Sequence, residues 1–521
     1  MNESGTSWVE DARRRLRDER APLAAVLLVT ALAKAAALLP GYALDDWGNA
    51  DGPIPILVDD VLHKGRLGHW LLLRAGMALQ TEPLSARILY VTLSIAAYAL
   101  FGWAVVRFWR VPPRGWLPVA AAVLVANHPY TVEIFTFRNG LPPAGIVLAI
   151  LASLLHLAVR PAPRLLLGSL LFAAAASFYQ IALHFALMVT LVGFAVRCAR
   201  ALGAPDPRPP DPGGATWMPS RLLADRDVRF LLYVVGGSLL YALAGRIVWG
   251  LMGVRESFFE MLSPRELPQR IAEVSRHVWA TMAGTNPLLP TLVQRIFALV
   301  LLGIVCGLLW TVSTRSDKKS ALARAIAIIA LLPAAWLWSV GLFLVLRGYW
   351  PVARSMAHVG ILWGGSLVIA ALLLPWAVTR RALAVIAATI AVSFVGVSEQ
   401  ILDDQRRLNM RDMLLVDRMV ARIETLPGLD QARRVIFAGH RPWHPSGPMQ
   451  TQWGDLNLSA LGAYWSNGAL LREVSGHDLS STKAPEDEAA AASYCAEHDP
   501  WPSPDAIGLQ GQLIVICLSS P

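Results

Sequence analysis

The 521-residue sequence predicts a polytopic α-helical membrane protein, with about eleven transmembrane helices and a small C-terminal extracytoplasmic α/β domain. Composition is the first reason: 55% of residues are hydrophobic and 16% charged, against about 25% charged in soluble domains. The second is a mean hydropathy of +0.47, which comes from many apolar runs, each near the roughly 20 residues that cross a hydrocarbon core. The third is a change to soluble-type patterning after Ser398. The net charge of +9 and pI near 9.6 do not indicate nucleic-acid binding. Lys and Arg concentrate in short loops between apolar runs, as the positive-inside rule requires, and no basic surface remains beyond that.

Residues 1–21 carry "SWVEDARRRLRDER", which predicts a short amphipathic helix on the cytoplasmic face rather than a cleavable signal peptide. Arg13, Arg14, Arg15, Arg17 and Arg20 can meet anionic headgroups there. The spans expected within the membrane region 22–398 are 22–40, 86–108, 115–127, 140–158, 164–178, 180–196, 229–253, 290–313, 323–346, 356–376 and 382–398. The run 68–80 is shorter, contains Arg74 and belongs in the interface. With the N-terminus cytoplasmic, the basic loops "RFWRVPPR", "RPAPR", "RSDKKSALAR" and "TRR" all fall inside, and an odd number of spans places residues 399–521 in the periplasm. The Pro/Gly-rich stretch 204–220 reads as a cytoplasmic linker.

In the tail, Ile401, Leu408, Leu415, Met419 and Ile423 recur at helical spacing, so the last span is expected to continue out of the membrane as a helix. "ARRVIFAG" and "GQLIVICLS" read as buried strands. Cys495 and Cys517 both lie in this tail, where oxidation favours a disulfide; two free buried thiols are the alternative. Cys198 and Cys306 show no metal spacing, and no zinc motif, Walker loop or dinucleotide fingerprint is present.

The chemistry-bearing residues start with Asp45 and Asp46, where the chain leaves the first span. Adjacent carboxylates repel, so a pair held near lipid suits a general base or a divalent-metal ligand; the plain alternative is a solvated loop. Asp59 and Asp60 form a second pair beside "VLHKGR", whose cations can simply neutralise them. Arg66 can clamp a phosphate or snorkel to headgroups. Arg138 and Asn139 precede a helix N-terminus, a place that favours anions, in a loop that also holds Glu133. Tyr179 and Gln180 break an apolar hairpin one turn before His184, and these residues can contact a sugar or simply satisfy each other. Arg347, Tyr349, Trp350 and Arg354 combine cations with aromatic rings, as a sugar phosphate requires or as an aromatic belt does. All of these fall on the same predicted side, which fits a lipid-phosphate substrate.

The pattern resembles the bacterial serotype-converting O-antigen glucosyltransferases, a family of GT-C-type architecture. The resemblance rests on "LDDW" after the first span, "GRLGHWLL" about 20 residues later, "HPYTVEIFTFRNGLPPAGIVLAILASLL", the Tyr-Gln break in "LLLGSLLFAAAASFYQIALHF", and "QRRLNMRDMLLVDRMVARIETL" before a short outer domain. "RNGLPP" lacks the usual acidic residue after the Arg, which weakens the assignment of Arg138. The resemblance implies an inner-membrane enzyme that takes a sugar, glucose in this family, from a polyprenyl-phosphate donor. The acceptor it implies is lipopolysaccharide O-antigen or its lipid-linked precursor. It also implies that an Asp of the first outer loop is the general base of an inverting displacement. Arg66, Arg138, Arg347 or Arg354 would stabilise the departing phosphate, with Tyr179, Gln180 and Tyr349 contacting donor phosphate or sugar. A Mg or Mn ion bridging Asp45 and Asp46 is compatible with this chemistry and not required by it. The rival readings are a transporter or flippase of a lipid-linked glycan, which should carry charges at mid-membrane depth, and an O-antigen polymerase or ligase, which should carry a larger outer loop. The tail aromatics Trp443, Trp453, Tyr464 and Trp465 allow sugar stacking, but filling a small core is their expected use.

Overall fold

The computed structural model describes residues 8–51, 61–79, 87–137, 141–160, 163–203, 225–253, 261–374, 376–439 and 454–519. Helix α1 (Trp8–Lys34) carries the charged N-terminal segment directly into the first apolar run, with Pro22 inside it. The separate surface helix expected from the sequence is therefore the opening of one longer helix. Arg, Glu, Ala and Leu dominate residues 10–20 and favour helix, so nothing stops it there. A short 3-10 turn (Ala35–Leu38) ends the run, and α2 (Leu44–Asp51) and α3 (Leu67–Ala78) follow.

The chain then builds α4 (Arg87–Phe108), α5 (Trp116–Asn127), the one-turn α6 (Val132–Thr136), α7 (Leu141–Val159), α8 (Leu165–Phe178), α9 (Ile181–Gly203) and α10 (Arg226–Met252). After these come α11 (Leu267–Ala283), α12 (Thr291–Thr314), α13 (Lys318–Leu337), α14 (Val359–Leu373) and α15 (Ala377–Ile423). Among the described residues, eight helical segments are long and apolar enough to cross a membrane, and α5, α7 and α8 are apolar but shorter. Eight of the eleven expected spans coincide with the long helices, and the other three coincide with the shorter apolar ones. Local chemistry explains two of the short helices. His128–Pro129 follows Asn127 in extended geometry, which closes α5. Tyr179 adopts φ −162°, ψ 127° and closes α8.

Helix α14 is the axis of the bundle and is almost wholly buried. Two glycines let it press against α5. A Cβ at Gly360 would stand 2.6 Å from the Val125 carbonyl oxygen, and one at Gly364 would stand 2.6 Å from that of Ala121. Small residues four apart permit the backbone contact that drives helix association in lipid, where no hydrophobic effect operates between helices. Trp363 stacks on Phe297 with centroids 3.7 Å apart and links α14 to α12.

Helix α15 runs 47 residues without a break. The domain boundary read at residue 398 therefore falls inside one helix, and the two hydrophobic cores divide along it. Ile401 and Leu402 belong to the bundle core, whereas Val416, Met419, Val420 and Ile423 belong to the C-terminal core. That second core holds α16 (Tyr464–Ser475), α17 (Pro485–Glu497) and a four-stranded sheet. The strands are β1 (Arg434–Ala438), β2 (Ser480–Ser481), β3 (Ile507–Gln510) and β4 (Leu513–Cys517), in the order β2-β1-β4-β3. β1 is parallel to β2 and β4, and β3 closes the edge antiparallel. Both sequence-predicted strands are present. Cys495 and Cys517 are disulfide-bonded, which fixes α17 to β4, while Cys198 and Cys306 are free. The two units interlock, since Trp47 of α2 sits in the C-terminal core and Leu456 sits in the bundle core.

Candidate functional site

Helix α15 organises the site. Gln405 and Asn409 point at the turn before α2: Gln405 Nε2 and Asn409 Nδ2 donate to the Tyr42 carbonyl at 3.0 and 3.1 Å, and Asn409 Oδ1 accepts from the Tyr42 amide at 2.7 Å. One turn on, the Asp412 carboxylate accepts from Ser459 Oγ at 2.9 Å and from the Ala460 amide at 2.8 Å. One helix face therefore holds both α2 and the segment that leads into α16. The result is that Trp465, at the start of α16, donates a hydrogen bond to the Asp45 carboxylate.

The two adjacent aspartates differ in role. Asp46 is fully buried, and its Oδ2 accepts from the Ala43 amide at 3.0 Å, so it shapes the start of α2. Asp45 is half-buried and faces charged groups. Burial pushes its carboxyl above the usual carboxylate range, Arg354 and Lys64 pull it back, and Asp455 pushes it further up.

Arg354 lies at the centre of this cluster. Its backbone amide donates to Glu133 Oε2 at 2.6 Å, and its guanidinium pairs with Glu133 Oε1 and, at 2.6 Å, with Asp455 Oδ2. The guanidinium also lies over the Phe137 ring, 4.6 Å from the centroid. Glu133 is fully buried, which pushes its carboxyl up, and Arg354 opposes that push. Since two carboxylates already neutralise Arg354, it chiefly ties α6, the chain before α14 and the C-terminal domain to one another. His184 supports it from behind. Its Nδ1 bonds to the Ser355 carbonyl at 2.9 Å and its Nε2 accepts from the Leu342 amide at 3.0 Å, an arrangement that places the proton on Nδ1.

Arg66 and the Tyr-Gln break form the second half of the site. Gln180 Nε2 donates to the Lys64 carbonyl at 2.6 Å and to Tyr241 Oη at 3.0 Å. Tyr241 in turn donates to the Gly65 carbonyl at 2.9 Å. Gln180 therefore sets the backbone before α3 rather than presenting its amide to a ligand. The Arg66 guanidinium lies over the Tyr179 ring, 4.4 Å from its centroid. Its Nε is buried without a hydrogen-bond partner among the described residues. Flanking Arg66, Gly65 and Leu67 line an apolar cavity of about 200 Å³, walled by Ala173 and Ala174 of α8 and by Leu240 and Trp249 of α10.

Of the sequence-predicted residues, Asp45, Arg66, Tyr179, Gln180 and Arg354 meet in this region. Arg347 and Tyr349 lie elsewhere, against α11. Arg270 donates to the Arg347 carbonyl at 3.1 Å and covers the Tyr349 ring at 4.5 Å. Arg138, Asn139, Asp59, Asp60, Trp443 and Trp453 lie outside the described residues. Tyr464 and Trp465 depart from their expected core role: they are 44% and 46% exposed, Trp465 bonding to Asp45 of α2 and Tyr464 lying beside β1 under Lys483. Sequence reasoning missed Lys64, Asp455 and Lys34 as participants. Lys34 is fully buried, and its Nζ donates to Thr131 Oγ1 at 2.6 Å, two residues before Glu133. A lysine inside "LLVTALAKAAALL" is the signal that could have found it. Among the described residues no three His, Cys, Asp or Glu side chains gather as metal ligands do. Asp45 and Asp455 are the carboxylates that could share a cation. Comparison with protein-family models, with curated proteins and with solved structures returns no match.

Proposed function

We propose that the protein is an integral-membrane glycosyltransferase that moves a sugar, glucose on the sequence resemblance, from a polyprenyl phosphate to a glycan acceptor such as O-antigen. The observation that carries this reading is the pairing of opposite chemistries at one place. A half-buried carboxyl, Asp45, faces the cations Arg354 and Lys64, and two residues beyond Lys64 the cation Arg66 is flanked by Gly65 and Leu67, which line an apolar cavity. An amphiphile with an anionic head fits such a place. Its tail would lie against α8 and α10, and its phosphate would meet Arg66 Nε, which has no hydrogen-bond partner among the described residues.

The reaction is a single displacement. The acceptor hydroxyl oxygen attacks the anomeric carbon as its proton passes to Asp45. The carbon–oxygen bond to the phosphate breaks, and its electron pair leaves with the polyprenyl phosphate, whose growing charge Arg66 and Lys64 stabilise. The configuration at the anomeric carbon inverts. A carboxyl raised above its usual range is a stronger base than an exposed Asp. Sugar nucleotides are absent outside the cytoplasm, so a lipid-phosphate donor suits a periplasmic site in the bacterial inner membrane, with the N-terminus cytoplasmic.

Purified protein in lipid vesicles, given a radiolabelled polyprenyl-phosphate glucose and lipopolysaccharide, should transfer label to the polysaccharide. Arg66→Gln should raise the donor KM at least tenfold. Movement of labelled lipid-linked sugar across the bilayer without transfer would select the transporter reading instead.

A further inference from the structure

A second cavity, of about 420 Å³, opens beside the Asp45 cluster, between α11, the loop before Arg354 and the C-terminal domain. Its volume lies within the roughly 300–1,000 Å³ of small-molecule sites. Glu273, Arg276 and His277 line it from α11, and Tyr349, Trp350 and Gly454 line it from the other sides. Residues 273, 276 and 277 are three and four apart and so share one helix face. The opposite face of α11 carries Leu267, Ile271 and Trp279, which are 39%, 41% and 71% exposed. The helix therefore separates an apolar face suited to the lipid interface from a polar face turned to the cavity. That separation distinguishes Trp350 from a membrane-belt aromatic: it is 58% exposed and lines the cavity that holds the polar face.

The lining is fixed in place. Arg270 covers the Tyr349 ring at 4.5 Å, donates to the carbonyls of Leu346 and Arg347 at 2.7 and 3.1 Å, and donates to Glu273 Oε2 at 3.1 Å. Gln269 Nε2 donates to the other Glu273 oxygen at 3.1 Å. The exposed Trp350 ring and the half-buried edge of Tyr349, beside a held carboxylate, a guanidinium and an imidazole, match a pyranose. The C–H face of the sugar stacks on Trp350, and its hydroxyls bond to the charged groups. The cavity also shares a wall with the first site: Gly454 precedes Asp455, the partner of Arg354, and Val352 lines the cavity two residues before Arg354.

We propose that this cavity is a glycan subsite, which holds a hexopyranose unit of the acceptor while an adjoining hydroxyl reaches Asp45. The acceptor assignment rests on the transferase reading, but sugar binding by the cavity can be tested without it. The test uses full-length protein in lipid nanodiscs, labelled with a fluorophore, on a printed array of bacterial hexopyranose oligosaccharides and polysaccharides, with empty nanodiscs as control. Wild type should be retained on hexopyranose glycans. Trp350→Ala should lower that retention at least tenfold while eluting as a monodisperse particle. Trp279→Ala, on the opposite face of α11, should bind as wild type does, because Trp279 lies outside the lining. Retention on no glycan above the control, or wild-type retention by both Trp350→Ala and Glu273→Gln, would overturn the proposal. Glycan retention by a wild type that transfers no sugar would remove the transferase reading and leave the sugar site standing.

Discussion

At the scale of single residues, Arg354 makes the sharpest energetic statement. Glu133 is fully buried and takes both its amide and its guanidinium partner from Arg354. Arg354→Met should therefore cost about 3–5 kcal/mol, since it strands a buried carboxylate. Glu133→Gln added to it should recover much of the loss, a coupling that a thermal-unfolding double-mutant cycle measures. The charges around Asp45 make a second, opposite pair of predictions. Asp455 pushes the Asp45 carboxyl up and Lys64 pulls it down. If ionised Asp45 is the base, activity falls as pH drops through its pKa. Asp455→Asn should then move the acid limb of the pH–rate profile to lower pH, and Lys64→Met should move it to higher pH. Equal limbs in all three proteins would place the base elsewhere.

At the scale of elements, the approach of α14 to α5 is set by glycine, and α15 acts as a ruler between two domains. Gly364→Leu must push its side chain into the Ala121 carbonyl. It should abolish the folded bundle, seen as loss of a monodisperse peak in detergent, whereas Gly250→Ala meets nothing within 4 Å and should be silent. Most elements were legible before the fold was known. Apolar runs near 20 residues announce themselves in stretches such as "LLGIVCGLLW" or "LAVIAATIAV" because lipid admits little else, and the break at Tyr179–Gln180 is polar inside an apolar hairpin. The continuity of α1 through Pro22 was not legible, since a charged segment before a span reads equally well as a separate surface helix.

At the scale of the whole molecule, the site is made by contacts that no local pattern records. Glu133 and Arg354 are 221 positions apart, and Asp45 meets Trp465 only because Gln405, Asn409 and Asp412 hold both segments on one helix. The acidic pair was visible in "LDDW", but its division of labour was not. Burial alone separates Asp46, which caps its own turn, from Asp45, which faces Arg354, Lys64 and Trp465. The same division supplies the most direct test of the account. The rate of sugar transfer from radiolabelled polyprenyl-phosphate glucose to lipopolysaccharide should be measured for wild type and Asp45→Asn, beside their melting temperatures. Removal of a general base predicts a loss of about 10²–10⁴-fold. Because burial makes the ionised Asp45 unfavourable in the folded state, stability falls as pH rises past its unfolded pKa, so the Asn variant should melt no lower than wild type at neutral pH. Full transfer by Asp45→Asn would contradict the account, because the carboxyl on which the mechanism depends would then have no part in it.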